Sequence, residues 1–129
     1  MKHIILLILL LWVACQTTTH QNQKIWSKSK CYYFQTSVNR TNASKDDYAD
    51  VVLHVFDSAG SLIDIYNTRA GDFNKWAVGW DLQGDTIVLY SADIGTQAWQ
   101  IISDSLSSVQ ITDALESRAE QIKTAKYAQ

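Results

Sequence analysis

Cysteine, histidine and recognisable catalytic motifs are all scarce in this chain of 129 residues. It has two cysteines and three histidines, and it has no Gly-rich phosphate loop, His-x-x-x-His pair, Cys-x-x-Cys pair or nucleophile elbow. An enzyme needs a nucleophile or base and a partner that orients it, and beyond residue 15 only His20 and His54 offer an imidazole base. These absences weaken the case for an enzyme, and we predict no catalytic residue, metal site or cofactor.

An excess of positive charge is also lacking. The formal net charge is −2 and the isoelectric point is near 5.8, whereas binding to a phosphate backbone needs a concentrated Lys/Arg surface. The basic cluster Lys24, Lys28 and Lys30 is interpreted as part of a solvated linker. Nucleic acid is therefore not expected as a partner.

The longest apolar run is short and lies near the start of the sequence. Met1-Lys2-His3 precedes a run from Ile4 to Ala14, which is too short to span a bilayer core that needs about 20 apolar residues in a helix. A charged start and a short apolar run are typical of a secretory signal peptide. The run ends in Trp12-Val13-Ala14-Cys15, which resembles the lipobox of bacterial lipoproteins, with Trp12 where Leu is usual.

The resemblance implies that Cys15 is diacylated and that the lipid bilayer is a partner of the chain. It divides the sequence into a signal peptide at 1–14, the lipidated Cys15 and a polar tether at 15–24, and a single globular domain at 25–129. By the same resemblance, Gln16 favours the outer membrane, facing the periplasm, in a Gram-negative host. We therefore expect a lipid-anchored protein of the bacterial cell envelope.

An ordinary secreted protein is the alternative to a lipoprotein. In that case Cys15 and Cys31 would form a disulfide, and the sequons at Asn39 and Asn42 would be glycosylated in a eukaryote. If Cys15 carries lipid, Cys31 has no partner within the chain. Its aromatic neighbours then favour a small buried residue, with an intermolecular disulfide or a reactive thiol as alternatives.

Two segments of the domain share one hairpin pattern. Residues 56–66 and 80–90 both read aromatic-Asp-x-x-Gly-polar-x-Ile-x-aliphatic-Tyr. The Asp carboxylate can bond to the backbone of the turn, and the Gly supplies the positive φ that re-enters the second strand. We predict two hairpins. With residues 81–84 as the second loop, Trp80 faces Asp85, and Trp76, Val78, Trp80, Ile87 and Leu89 share one side.

Both sides of the first hairpin are apolar, so its sheet needs two covers. One predicted cover is a carboxyl-terminal helix, in which Ile111, Leu115, Ala119, Ile122 and Lys126 recur at helical spacing. Asp113 and Glu116 suit its start. The other cover is residues 31–36 or 97–102 folded over as a small sandwich, or a partner. The predicted fold class is α+β, an antiparallel β-meander of two hairpins and about 4–6 strands with this helix on one face.

Few residues in the domain are candidates for function. Asp93, Gly95 and Thr96 follow a predicted strand, and with Trp99 they form a speculative binding site. His54 has the parity of Val52 and Phe56, which we assign to the core face, and a Cys31–His54 dyad stays open. Asp81 and Asp85 lack the ligand pattern of a calcium loop and are assigned to a turn. Residues 37–50 form a long polar loop.

The leading hypothesis is a non-catalytic, membrane-anchored envelope lipoprotein that binds a protein partner, as an inhibitor or immunity-type factor. It is motivated by small size, the predicted tether, surplus apolar sheet surface and the missing catalytic set. The alternatives are a glycan or small-molecule binding module that uses Trp99 and the 91–96 loop, a small hydrolase that uses His54, and a purely structural envelope component. Nothing in the sequence indicates an oligomeric state.

Overall fold

The domain consists of two antiparallel sheets and one helix. The structure is a computed structural model, and it describes residues 23–39 and 49–128. The first sheet has four strands in the order β1-β2-β3-β4, and the second has four in the order β5-β6-β7-β8. The elements are β1 Ile25–Trp26, β2 Tyr32–Asn39, β3 Asp50–Asp57, β4 Leu62–Gly71, β5 Trp76–Trp80, β6 Thr86–Ser91, β7 Gln97–Ile102, β8 Ser105–Ser108 and α1 Asp113–Tyr127.

The prediction of antiparallel strands with a carboxyl-terminal helix is confirmed, but the prediction of one meander is wrong. Strands that follow one another in sequence are neighbours within each sheet. After Gly71, however, the chain turns and begins a second sheet instead of pairing β5 with β4. Face-to-face packing explains the split, because each hairpin buries its apolar side against the other.

The main core lies between the two sheets. Its buried residues come from both sheets and are Phe34, Leu53, Val55, Ala70, Trp80, Ile87, Leu89 and Trp99. Two hydrogen bonds also join the sheets: the Trp80 indole Nε1 donates to the Ile25 carbonyl over 2.9 Å, and the Leu106 amide donates to the Asp64 carboxylate over 2.9 Å. Each sheet is therefore the cover of the other.

The two predicted hairpins are confirmed, and the Asp–Gly turn chemistry is seen in both. The Asp57 carboxylate accepts the amides of Ala59 and Ser61 at 3.0 and 2.9 Å, and Gly60 has φ +88°. The second turn spans residues 81–85, and Asp81 accepts the Leu82 amide at 2.8 Å. In the described part of the chain, no three His, Cys, Asp or Glu side chains are grouped closely enough to hold a metal ion, and this includes Asp81 and Asp85.

The register predicted for the second hairpin is shifted by two residues. Trp80 pairs with Ile87 rather than Asp85, because the turn closes through the Asp81 amide on the Thr86 carbonyl at 2.8 Å. A shift of two keeps every side chain on its face. Trp80 is consequently buried in the core, as predicted, and Trp76 is half-buried beside it.

The helix α1 packs on the second sheet, on the side away from the core. Thr112 caps the helix by accepting the Leu115 amide at 3.2 Å. Ala119 and Ile122 are its buried residues, and with Ala77, Val88 and Ala98 they form a second apolar cluster. The helix thus covers β5 and β6 rather than the first hairpin. Of the two predicted second covers, residues 97–102 lie in the sheet that faces the first hairpin, with Trp99 in the core, whereas residues 31–36 contribute β2, which pairs with β3 in the same sheet.

Candidate functional site

The first sheet has a face that points away from the core, here called the outer face. Leu53 and Val55 of β3 point inward, so Val52, His54 and Phe56 point outward. The strand register aligns four outward residues in one row across all four strands. This apolar row is Trp26, Tyr33, Phe56 and Leu62.

The apolar row is closely packed within itself. The rings of Trp26 and Tyr33 lie 4.8 Å apart, and those of Tyr33 and Phe56 lie 4.9 Å apart and are stacked. The Lys24 ammonium lies 5.0 Å from the centre of the Tyr33 ring. These contacts bury Tyr33, while Trp26 and Leu62 remain 38% and 52% exposed. Fixed aromatic rings of this kind bind partners at a low cost in side-chain entropy.

The outer face becomes polar toward its other end. Ile65, which is 56% exposed, lies beside His54 in the next row, and Ser37 and Asn67 follow in the row after that. Ser37 Oγ and His54 Nε2 are 2.7 Å apart, and the Asn67 amide donates to Asp50 over 3.2 Å. Side chains of both ends thus line one continuous surface. No described helix or strand covers it.

The Ser37–His54 pair has the separation of a nucleophile and its general base. Catalysis needs further groups, namely one that orients the imidazole through Nδ1 and donors for an oxyanion. Among residues 23–39 and 49–128, no carboxylate bonds to His54. Ser37 and His54 are therefore close enough to share a hydrogen bond, but no described carboxylate completes a catalytic triad with them.

The predicted position of His54 is wrong in one respect. We assigned its parity to the core face, but Leu53 and Val55 hold that face and His54 points outward. The first hairpin is apolar on both sides, so periodicity alone does not separate them. The Cys31–His54 dyad does not form, because Cys31 precedes Tyr32, which pairs with Asp57, whereas His54 pairs with Gln35 further along β2.

The speculative site around Trp99 has a structural role. Trp99 is 1% exposed and packs against Tyr66 at 5.2 Å, so it presents no ring face to a ligand. Asp93 accepts the Gly71 amide at 3.1 Å, and Thr96 donates to Glu116 at 2.7 Å. Gly95 has φ +85°, as the turn requires. The loop after β6 therefore joins the two sheets and the helix.

Cys31 is exposed, which corrects the prediction that it is buried. It lies in the turn between β1 and β2, directly after Lys30, whose φ is +64°. Because Cys31 lies in this turn, its side chain points to solvent and does not follow the inward–outward alternation of the residues in β2. Ser29 holds the turn by accepting the Cys31 amide at 3.2 Å and donating to Asp85 at 2.8 Å.

Cys15 and most of the predicted polar loop, residues 40–48, lie outside the described residues. Within the described part, no helix is both long and apolar enough to cross a membrane. The chain matches no known protein family, no curated protein and no solved structure. The surface geometry therefore carries the functional argument.

The sequence alone did not identify the apolar row. Three of its members are aromatic residues in three different strands, and only the register of β1, β2 and β3 aligns them. One usable signal was the run Tyr32-Tyr33-Phe34, because aromatic residues on both faces of a strand indicate that both faces make contacts.

Proposed function

We propose that this chain is a membrane-anchored envelope lipoprotein that binds another protein through the outer face of its first sheet. It acts without catalysis, as an inhibitor or immunity-type factor. The observation that carries the proposal is the apolar row, in which Trp26 and Leu62 are exposed on a face whose aromatic rings are packed together. Contiguous exposed apolar surface on a small domain is typical of a protein interface.

The composition of the outer face suits a protein partner better than a lipid or a sugar. Trp26 supplies an aromatic anchor held in place by the buried Tyr33, and the Ser37–His54 pair and Asn67 supply hydrogen-bonding groups around Ile65. Protein interfaces commonly combine an apolar, aromatic part with an adjoining polar part. We expect the bound surface of the partner to be apolar opposite the row and polar opposite Asn67.

The lipid anchor in this proposal rests on the lipobox resemblance at residues 12–15. Metabolic labelling with an alkyne analogue of palmitate tests it. The wild-type chain should take up the label and Cys15→Ser should not. Label that survives Cys15→Ser, or no label on the wild type, would contradict the anchor.

Site-specific photo-crosslinking tests the interface. A photoreactive phenylalanine analogue placed at Ile65 should give a discrete adduct in cells that make the protein, and mass spectrometry should identify one partner. Leu82 is the matched control, because it is also 56% exposed but lies in the turn of the second sheet. Adding Trp26→Ala should abolish the Ile65 adduct. Equal adducts from Leu82 and Ile65, or none from Ile65, would refute the interface.

A second candidate function is a small hydrolase, favoured by the 2.7 Å contact between Ser37 Oγ and His54 Nε2. In it, Ser37 would attack a carbonyl carbon and pass its proton to His54. A fluorophosphonate probe should then label the wild type and Ser107→Ala, an exposed control, but not Ser37→Ala. Absence of label on the wild type removes this candidate and leaves the binding proposal unaffected.

A further inference from the structure

A groove of about 360 Å³ runs along the edge of the second sheet between β5 and α1. Its floor includes Val78 and Gly79 of β5, one wall is formed by Ile122 and Ala125 of α1, and Ile25 of the first sheet lines the opposite wall. None of its lining residues belongs to the apolar row or to the Ser37–His54 pair. The groove is thus separate from the outer face.

The floor of the groove is a strand edge with one free pair of backbone groups. Lys75 and Asp81 bond to β6 through their backbones, so in an antiparallel ladder the residues of even number, Trp76, Val78 and Trp80, direct their N–H and C=O groups away from β6. Side chains of α1 bond to the carbonyls of Trp76 and Trp80. No described residue bonds to the N–H and C=O of Val78.

Two cations stand at the two ends of this edge. Arg118 Nε donates to the Trp80 carbonyl over 2.9 Å, and Lys126 Nζ donates to the Trp76 carbonyl over 2.6 Å. Each retains further N–H donors, since a guanidinium has five and an ammonium has three. No salt bridge to a described carboxylate is seen for either cation, although Asp72 acts electrostatically on Lys126, whose ammonium also lies 3.5 Å from the centre of the Trp76 ring.

The spacing of the two cations matches the strand beneath them. Eight residues of helix separate Arg118 from Lys126, which is about 12 Å at 1.5 Å per residue. Four residues of strand separate Trp76 from Trp80, which is about 13 Å. A peptide strand lying along β5 would therefore place residues i and i+4 beside the two cations. Residue i+2 would lie between them, paired with Val78, and its side chain would share the face of Val78 and lie against Ile25 on the opposite wall.

We propose that this groove binds an extended acidic segment of a partner protein, which adds to the edge of β5 as a further strand. Its main chain exchanges both hydrogen bonds with Val78. The segment has the pattern acidic-x-apolar-x-acidic, with the two carboxylates reaching Arg118 and Lys126 at the strand edge and the apolar side chain against Ile25. Charge complementarity selects this occupant, because the groove presents two cations and no described carboxylate lines it.

A synthetic peptide tests the proposal on the full chain carrying Cys15→Ser. The probe is acetyl-Thr-Glu-Thr-Val-Thr-Glu-Thr-amide, titrated into isotopically labelled protein and followed by NMR. We expect shift changes confined to β1, β5 and α1, and at least a fivefold slowing of hydrogen exchange at the Val78 amide. In the Gln peptide, both Glu residues are replaced by Gln, and each replacement should weaken binding about fivefold. Higher salt should also weaken the binding of the Glu peptide.

Variants of the protein separate the roles of the charges. Arg118→Gln keeps a donor for the Trp80 carbonyl but loses the charge, and it should weaken the Glu peptide about fivefold while leaving the Gln peptide unchanged. Lys123→Gln is the matched control on the same helix and should have no effect. If Arg118→Gln does not fold, the Glu and Gln peptides compared on the unsubstituted chain decide the same point.

Several results would overturn the proposal. A peptide that leaves the Val78 amide unshifted at millimolar concentration rules out the site. Equal binding of a peptide N-methylated at its Val excludes strand addition, because the methyl group blocks the bond to the Val78 carbonyl. Protection of the Val78 amide in the free protein at raised concentration identifies a second copy of the chain as the occupant. None of these results bears on crosslinking from Ile65, so the outer-face proposal is tested independently.

Discussion

Gly79 lies directly beneath Ile122, and this close approach predicts that their substitutions are coupled. A Cβ added at Gly79 would lie 3.0 Å from Ile122 Cδ1, 3.1 Å from Cγ1 and 3.4 Å from Cγ2. These are the atoms that Ile122→Ala removes. Each single substitution should therefore destabilise the domain, and the second should partly relieve the first.

The magnitudes follow from packing and backbone entropy. Ile122 is 8% exposed at the end of the second apolar cluster, so Ile122→Ala should cost about 2–3 kcal/mol. Gly79→Ala alone should cost about 0–1 kcal/mol, because strain against Ile122 offsets the roughly 0.5–1 kcal/mol gained by removing a strand glycine. In the Ile122→Ala background the strain is absent, and Gly79→Ala should stabilise by about 1 kcal/mol.

Equilibrium unfolding in urea, followed by tryptophan fluorescence, measures all four free energies of unfolding. The predicted coupling energy is about 1–2 kcal/mol. Gly79→Ala combined with Leu115→Ala gives a control, since Leu115 belongs to the same cluster and is not among the atoms nearest a Gly79 Cβ. If Gly79→Ala has the same effect in both backgrounds to within about 0.5 kcal/mol, the reasoning about helix docking is wrong.

Three further predictions concern caps, turns and charge. Thr112→Ala should lower the free energy of unfolding by about 1 kcal/mol because the Leu115 amide loses its acceptor, and Thr112→Ser should restore it, as urea unfolding would show. Asp57→Ala removes the acceptor of two turn amides and should cost about 1–2 kcal/mol, while Asp57→Asn should cost less; equal losses for the two would contradict this role. Burial lowers the pKa of Lys126 below its usual 10.5, against a smaller raising effect of Asp72. As pH approaches 10.5, the folded state therefore binds fewer protons than the unfolded state, and the free energy of unfolding of the wild type should rise relative to that of Lys126→Met. Parallel plots of unfolding free energy against pH for the two proteins would refute this prediction.

The local elements were predictable because their causes are local. In the first turn, the Asp57 carboxylate accepts backbone amides and Gly60 has a positive φ, as their residue types allow. The apolar stripe from Leu115 to Ile122 forms the side of α1 that packs on the sheet. The faces of the second hairpin were also predicted correctly despite the wrong register. An error of two residues is invisible to a pattern whose period is two.

The assembly of the sheets was not predictable from the same patterns. Whether β5 pairs with β4 or begins a second sheet depends on which apolar faces meet, and that is a property of both hairpins together. The side of β3 that faces the core is a similar case, since Leu53 and Val55 compete with Val52 and Phe56 of equal apolar character. For this reason the sequence pattern assigned His54 to the core face, whereas it lies on the outer face.

The candidate surfaces depend on still longer-range relations. The apolar row exists only because β1 pairs Trp26 with Tyr33 and β3 pairs Phe56 with the same residue. The groove exists because α1 runs along β5 and brings Arg118 to Trp80. Neither relation has a spacing signature in the sequence. Trp99, which we placed in a candidate binding site, is the largest fully buried side chain among the residues that the structure describes.

The bond between the Trp80 indole and the Ile25 carbonyl also determines how the domain carries mechanical load. Force applied through residues before Gln23 enters at β1, a strand of two residues at the sheet edge. Its few ladder bonds to β2 break one after another when the strand is pulled away, and the indole bond at 2.9 Å is the additional link that resists. Under tension, β1 should therefore detach first and remove Trp26 from the apolar row, while the two facing sheets stay folded.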